Sequence, residues 1–181
     1  VSYIQDGSKI YGFTLRWGQL TETDDSEGDV VKTSPVRPRG AEIQAALGDF
    51  TGEISQAPPA FSAIKVNGKR AYVLAREGKA PEMVPRIVRV DRFKWLGSPT
   101  LDTSEFVVKC GKGTYIRALA RDLALSLGAL GHVASMRRLA VGAMTEEQAI
   151  SLERLEEIVH SAAPDGYLHP VERALADIPA L

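Results

Sequence analysis

The residues of this sequence best suited to chemistry lie in one short segment, Gly111-Lys112-Gly113-Thr114-Tyr115-Ile116-Arg117. Its two glycines allow a sharp turn and a close approach of the backbone to a ligand. Tyr115 offers a flat ring, and Arg117 a guanidinium, where a predicted helix begins and anions are favoured. The phosphate-binding pattern GxxxxGK[ST] is not matched. We predict a ligand-facing junction between a strand and a helix, with an ordinary turn as the alternative.

Two neighbouring aspartates, Asp24 and Asp25, follow the first predicted strand in the polar stretch TETDDSEG at residues 21–28. Carboxylates held together raise one another's pKa and can carry acid–base chemistry, including hydrolysis. Aspartate, serine and glycine are also the residues that build turns. From the residues alone, both interpretations stay open.

A basic and aromatic stretch, PPAFSAIKVNGKRAY, runs from Pro58 to Tyr72. Its two prolines cannot donate hydrogen bonds to a sheet, so they interrupt regular structure at the entry. Lysine and arginine interleaved with aromatic rings are typical of surfaces that contact phosphates and stack on bases. The stretch predicts an RNA-facing loop, with a protruding hairpin that serves only as a lid as the alternative.

The formal net charge is only −1, from 22 basic and 23 acidic residues, but the charges are segregated along the chain. Residues 61–96 and 109–138 carry net charges of +6 and +5, whereas residues 19–57 and 145–181 carry −5 and −6. Two basic blocks between acidic ones predict a face that meets a polyanion. A solvated surface without a partner is the alternative.

Hydrophobic periodicity predicts the elements that must hold these residues in place. Strands are predicted at 11–17, 86–95 and 104–110, and helices at 43–50, 71–77, 114–127 and 152–161. The third helix, closed by Gly128, would place Tyr115 and Arg117 in its first turn. Strands and helices follow one another without a βαβ rhythm, which favours an α+β fold with a largely antiparallel sheet.

Composition limits the classes of protein that fit. A chain of 181 residues that is 44% apolar and 25% charged suits one domain, which buries roughly 70% of its unfolded surface. No apolar run approaches the roughly 20 residues of a membrane helix. The single cysteine, Cys110, excludes an internal disulfide, and the three histidines are too scattered to form a zinc site with it. We therefore predict a cytoplasmic protein without a metal.

Four separated segments, taken in order, carry a resemblance to a known family. They are Lys9-Ile10-Tyr11 with TLRWGQLTETDDSEG, then QAPPAFSAIKVNGKRAYVLAREG, then KGTYIR, and finally Met136-Arg137-Arg138-Leu139. In this order and spacing they are similar to the TruB-type tRNA pseudouridine-55 synthases, from about Lys9 to Leu181. The resemblance implies a mixed, largely antiparallel sheet flanked by helices, with an RNA-clamping insertion at about 58–85.

The resemblance also implies a reaction and the residues that perform it. A uridine in the T-arm loop of tRNA would be flipped out and isomerised to pseudouridine without metal or cofactor. An aspartate nucleophile engages the nucleotide, and the base detaches, rotates and rejoins through carbon. By resemblance, Tyr11 would stack on the uracil and Tyr115 would line the same pocket. Arg117 would hold the nucleophile in an ion pair that keeps it ionised, and Asp25 would orient Arg117.

Further residues follow from the same resemblance. Met136 would line the substrate pocket, where some members have leucine and a similar volume is kept. The partner would be the T-arm stem-loop of tRNA, bound by a protein that is a monomer at full length and does not bind membranes. Its contacts are expected from Lys65, Lys69, Arg70, Arg76, Lys112, Arg137 and Arg138.

One departure from the family pattern concerns the nucleophile itself. It lies in a segment of the form GxxDxxAxGxL, and the 181 residues contain no such segment. We therefore expect residues 1–165 to form a partial catalytic domain that is inactive alone, and residues 166–181 to begin a connection to a C-terminal RNA-binding domain. Neither Asp24 nor Asp25 takes the place of the nucleophile. The alternative function is a non-catalytic module that binds or folds tRNA.

Overall fold

A computed structural model of the protein describes residues 6–160, which form ten strands and four helices. The strands are β1 Lys9–Trp17, β2 Gln19–Thr21, β3 Val30–Thr33, β4 Gly52–Gln56, β5 Lys65–Val66, β6 Lys69–Arg70, β7 Arg86–Thr100, β8 Thr103–Cys110, β9 Gly131–Val141 and β10 Met144–Thr145. The helices are α1 Gly40–Ala46, α2 Ala71–Arg76, α3 Ile116–Ser126 and α4 Leu152–Val159, with 3₁₀ turns at Leu47–Phe50 and Glu146–Gln148. Within this part of the chain, no helix is long and apolar enough to cross a membrane.

Six of the strands form one sheet in the order β10-β9-β1-β8-β7-β4, and each neighbouring pair is antiparallel. Strand β1 lies at the centre and pairs with β8 on one side and β9 on the other. Strands β2 and β3, and strands β5 and β6, form two separate hairpins. The predicted α+β fold with a largely antiparallel sheet is confirmed.

The core lies on the inner face of the sheet, against which α3 packs. Alternation along β1 turns Phe13, Leu15 and Trp17 to this face, and all three are buried. Leu119 and Leu123 of α3 are fully buried in the same cluster. Burying each such side chain stabilises the fold by about 1.5–3 kcal/mol. Helix α3 is therefore fixed against β1, and its N-terminal end is held at one edge of the core.

The structure differs from the sequence-based expectation at β9 and at the start of α3. Strand β9 was not anticipated because its Ser135-Met136-Arg137-Arg138 run is exposed throughout and lacks the alternation of a half-buried strand. Helix α3 begins at Ile116, and Tyr115 precedes it with extended backbone angles. The expectation that Tyr115 lies in the first helical turn is therefore wrong, whereas Arg117 does lie there.

The other predicted elements agree with the structure within a few residues. Helix α3 ends as expected before Gly128, whose φ of 66° is the left-handed conformation that glycine favours. Helix α4 spans Leu152–Val159, and the predicted end of this helix at Ser161 lies outside the described residues. The predicted connection at 166–181 lies outside them as well, so the domain boundaries stay predictions.

Candidate active site

Several of the residues singled out in the sequence line two cavities that adjoin at Thr114 and Tyr115. The first, of about 680 Å³, is lined by Asp25, Tyr115, Arg117 and Met136 and is here called the arginine cavity. The second, of about 710 Å³, is lined by Tyr11, Lys112 and Arg138 and is called the tyrosine cavity. The adjacent residues Thr114 and Tyr115 line one cavity each. Tyr11 and Tyr115 thus line adjoining cavities, and their placement around one substrate stays a prediction.

Arg117 is held at the wall of the arginine cavity by three hydrogen bonds. Its Nη1 donates to the backbone oxygen of Thr23 at 2.8 Å and to Oδ2 of Asp25 at 2.9 Å, and its Nη2 donates to the backbone oxygen of Phe61 at 2.9 Å. These partners come from the acidic loop after β2 and from the segment after the two prolines. The guanidinium is therefore fixed in position before any ligand binds.

Three of the five N–H groups of this guanidinium are used in these bonds. Its Nε–H and one Nη2–H have no partner among residues 6–160. An arginine binds a carboxylate best through two parallel N–H groups. Arg117 can therefore bind a further anionic group while it keeps its contact with Asp25.

The carboxylate of Asp25 is itself fixed on its second oxygen. Its Oδ1 accepts hydrogen bonds from Oγ1 of Thr23 at 2.5 Å and from the backbone N–H of Glu27 at 3.0 Å. Asp25 thus satisfies the predicted arrangement in which an aspartate contacts Arg117. Its role in orienting that arginine stays a prediction.

Asp24 and Asp25 do not form a pair of interacting carboxylates. Asp24 forms an ion pair with Arg121 at 2.9 Å, whereas Asp25 pairs with Arg117. Burial raises the pKa of the Asp24 carboxyl, and the neighbouring Arg121 opposes that rise. Each carboxylate has its own arginine, so the geometry does not favour the acid–base interpretation of the two aspartates.

Gln56 is a residue that the sequence analysis missed. It is almost fully buried, and its side chain bonds both backbone groups of Tyr115. The N–H of Tyr115 donates to Oε1 at 2.8 Å, and Nε2 donates to the backbone oxygen of Tyr115 at 3.2 Å. These bonds hold Tyr115 extended and delay the start of α3. The signal for this role in the sequence is a glutamine directly before Ala57-Pro58-Pro59.

Ser62 is a second missed residue. Its hydroxyl is buried at the wall of the arginine cavity and has no hydrogen-bond partner within the described part of the chain. Buried hydroxyls are rarely left without a partner. The wall of the arginine cavity therefore contains a buried polar group beside Arg117.

Tyr11 has one side of its ring covered by Arg138 at the tyrosine cavity. The guanidinium carbon of Arg138 lies 5.4 Å from the ring centroid, and its Nε donates to the tyrosine hydroxyl at 3.1 Å. The two residues are register partners on β1 and β9. This contact fixes the plane of the ring.

The predicted RNA-binding residues lie in several places. Lys65, Lys69 and Arg70 are exposed on the β5–β6 hairpin, where the Asn67-Gly68 turn has positive φ at both residues. Arg76 stacks over the ring of Tyr72 at 5.5 Å and lines the arginine cavity. Three others make local contacts: Lys112 with Asp6 at 2.6 Å, Arg137 with Glu146, and Arg138 with Tyr11.

Comparison with known proteins gives the family. Residues 1–116 match the family described as TruB family pseudouridylate synthase (N terminal domain), and residues 117–176 match the tRNA pseudouridylate synthase B C-terminal domain. The chain belongs to the TruB family. The junction of the two matches falls in the first turn of α3, and β9 from the second region pairs with β1 from the first. The two matched regions, 1–116 and 117–176, therefore contribute strands to the same sheet.

Two bacterial relatives are similar over the whole chain. The tRNA pseudouridine synthase B of Gluconacetobacter diazotrophicus is 53% identical over 183 residues, and that of Rhodospirillum rubrum is 49% identical over 181 residues. Each alignment covers 100% of this chain but only 60% and 59% of the relative. The chain thus spans about three fifths of the length of these relatives.

Two solved structures share the fold. A Cbf5-Nop10-Gar1 complex contains a chain that matches with a TM-score of 0.68 and 24% identity, covering 96% of this chain and 44% of that one. An H/ACA RNP bound to a substrate RNA containing 2'-deoxyuridine matches with a TM-score of 0.61 and 20% identity, covering 96% of this chain and 40% of that one. The expected pseudouridine synthase-like sheet is confirmed.

Proposed function

We propose that this chain belongs to an enzyme that isomerises the T-arm loop uridine U55 of tRNA to pseudouridine, without metal or cofactor. The relatives that carry the name tRNA pseudouridine synthase B support this function. A segment with the GxxDxxAxGxL pattern, which does not occur in the 181 residues, would supply the aspartate nucleophile. The chain alone would therefore be inactive. We further propose that the enzyme is a cytoplasmic monomer.

The geometry of Arg117 carries this proposal. Its guanidinium is fixed by Thr23, Asp25 and Phe61, lines the arginine cavity, and keeps two N–H groups without a partner among the described residues. A carboxylate that accepts both N–H groups stays ionised because the neighbouring positive charge lowers its pKa. A nucleophilic aspartate needs this ionised state at neutral pH.

The aromatic and basic residues around Arg117 suit a flipped nucleotide. Tyr11 has one side of its ring against Arg138, and we assign the other side to the uracil. Tyr115 and Met136 would line the wall that receives the base and sugar. Extruding a base costs a few kcal/mol, and contacts of the β5–β6 hairpin with phosphates would offset this cost.

The test compares two proteins on a synthetic T-arm hairpin. One is the 181-residue chain, and the other is a hybrid in which the matched 183 residues of the Gluconacetobacter relative are replaced by this chain. Binding is followed by fluorescence anisotropy and pseudouridine by mass spectrometry after carbodiimide labelling. We expect both proteins to bind and only the hybrid to form pseudouridine. A hybrid that folds and binds without turnover would overturn the proposal.

The same test covers the alternative function, a non-catalytic module that binds or folds tRNA. The exposed Lys65, Lys69 and Arg70 of the β5–β6 hairpin support it, because contacts with phosphates need no nucleophile. Tight binding by the chain together with an inactive hybrid would support the module. A hybrid that turns over would exclude it as the function of the complete protein.

A further inference from the structure

A second arginine, one helical turn beyond Arg117, repeats the contacts of the first. Arg121 donates from Nη1 to Oδ2 of Asp24 and from Nη2 to the backbone oxygen of Ala57, each at 2.9 Å. Its Nε donates to Oδ1 of Asp122, also at 2.9 Å. Residues four apart share one face of a helix. Arg117 and Arg121 therefore point from α3 towards the same two chain segments.

These two segments are the acidic loop at 23–25 and the segment at 57–61 that leads into the basic insertion. Arg117 joins Asp25 to Phe61, and Arg121 joins Asp24 to Ala57. Two parallel bridges thus hold both segments against α3. Hydrogen bonds with a charged donor are roughly twice as strong as neutral ones, so the relative positions of these segments depend on both arginines.

Asp24 is fixed by both its backbone and its side chain. It adopts the left-handed conformation with φ of 61°, its N–H donates to Thr21 at 3.3 Å, and its backbone oxygen accepts from the N–H of Val133 at 3.0 Å. A non-glycine residue keeps this conformation only where its surroundings determine it. Because Asp25 is the next residue, the position of Asp24 sets the direction from which the Asp25 carboxylate approaches Arg117.

The two bridges differ in their access to a ligand. The side chains of Asp24 and Arg121 are 9% and 19% exposed, and neither lines the arginine cavity or the tyrosine cavity. Asp25 and Arg117 are 21% and 22% exposed, and both line the arginine cavity. A ligand in the arginine cavity therefore meets the Asp25–Arg117 bridge, here called the outer bridge, and does not meet the Asp24–Arg121 bridge, called the inner bridge. The inner bridge can act on it only through the outer one.

We propose that Arg121 and Asp24 are positioning residues that fix the Asp25–Arg117 pair and tie it to the entry of the basic insertion. This inference rests on the proposed function, since the pair they position is the one assigned to the nucleophile. Loss of the inner bridge removes none of Tyr11, Tyr115 and Arg117. It loosens the geometry in which Arg117 binds the nucleophilic carboxylate.

The test uses three variants of the hybrid protein: Arg121→Gln, Arg121→Lys and the double variant Asp24→Asn, Arg121→Gln. The single glutamine variant leaves a buried carboxylate without its partner, and we expect the melting temperature to fall by on the order of 10 °C. The double variant removes both charges, and asparagine tolerates the left-handed conformation, so most of that loss is regained. Lysine keeps the charge but cannot form the two-sided bridge.

The decisive readout separates rate from stability and from binding. In the double variant we expect a single-turnover rate about 10- to 100-fold below the unmodified hybrid, because small misplacements in a site cost that much. The affinity for the T-arm RNA hairpin should stay within about twofold of the hybrid, since the lost interaction acts in the reaction step alone. The lysine variant should fall between the double variant and the hybrid. A double variant with the rate of the hybrid would overturn the proposal.

Two controls keep the outcomes distinct. Ile43→Ala destabilises the core within α1, outside both bridges, and should lower the melting temperature without lowering the rate at a temperature where it is folded. Hydrogen exchange on the 181-residue chain needs no activity: the double variant should lose protection at 23–27 and 57–62. Unchanged protection in these two segments would contradict the inference, whatever the activity of the hybrid. An inactive unmodified hybrid would instead refute the proposed function.

Discussion

The arginine cavity and the β5–β6 hairpin both present basic side chains, but they hold them in opposite ways. In the cavity, Arg117 bonds two backbone oxygens and a carboxylate and is largely shielded from solvent. On the hairpin, Lys65 and Lys69 are exposed and form no ion pair with other described residues. Fixed, shielded donors give orientation, whereas exposed charges attract over a distance and are screened by salt. The first arrangement suits the reaction step and the second suits RNA binding.

The largest expected effect is at Arg117. Arg117→Lys in the hybrid cannot hold its three present partners and also offer two further N–H groups, because an ammonium has only three donors and lacks the planar fork. We expect the single-turnover rate to fall by about 10² to 10³, the usual result of removing a preorganised donor, while hairpin affinity is unchanged. Arg16→Lys, an exposed position on β1, is the matched control. Equal losses in rate and affinity would contradict the division between the two regions.

The next effect concerns salt. Changing Lys65, Lys69 and Arg70 to glutamate removes up to three phosphate contacts. Raising the salt from about 50 to 200 mM weakens binding of the T-arm RNA, and this weakening should become roughly 40-fold smaller in the triple variant. The matched control reverses Arg92, Lys94 and Lys109, which are exposed on the other face of the sheet, and changes the net charge equally. Anisotropy titrations measure both. The same salt dependence in the two triple variants would mean that the net charge of the protein, and not the β5–β6 hairpin, governs RNA binding.

A smaller effect is expected at Gln56, whose side chain is hydrogen-bonded to both backbone groups of Tyr115. Gln56→Leu leaves both backbone groups of Tyr115 without this partner and should lower the free energy of unfolding by about 1–3 kcal/mol. Urea denaturation of the 181-residue chain measures it, with the exposed Gln44→Leu as control. A variant as stable as the parent would show that Tyr115 is held by other means.

The smallest effect is the pH dependence of stability at Asp24. Burial raises the pKa of this carboxyl in the folded state, so its contribution to stability is fully present at acid pH and is lost as pH rises through the folded pKa. The stability of Asp24→Asn relative to the parent chain should therefore increase with pH over that interval. Chemical denaturation at a series of pH values tests this. The opposite slope would mean that the ion pair with Arg121 outweighs burial.

The sequence was sufficient for the elements whose pattern is local. Strand β1 and helix α3 show the periods of a half-buried strand and an amphipathic helix, and Gly128 marks the end of α3. Strand β9 was missed because its exposed residues carry no alternation. Its pairing with β1 decides its structure, and that pairing is a tertiary interaction.

The site could be predicted as a set of residues but not as an arrangement. Asp25, Tyr115, Arg117 and Met136 do line one cavity, whereas the contact of Tyr11 with Arg138 depends on the pairing of β1 with β9. The assignment of Asp24 and Asp25 to two different arginines depends on the face that α3 turns towards the acidic loop. Residue type and spacing do not determine these relations between distant segments.

The central claim is that the unused N–H groups of Arg117 receive the nucleophilic carboxylate. The structure of the hybrid protein bound to a T-arm hairpin tests it most directly. We predict that the aspartate of the GxxDxxAxGxL segment accepts hydrogen bonds from Nε and Nη2 of Arg117 while Nη1 keeps Thr23 and Asp25. A nucleophile placed away from these two donors, or an Arg117 that has left Asp25 to reach it, would contradict the account.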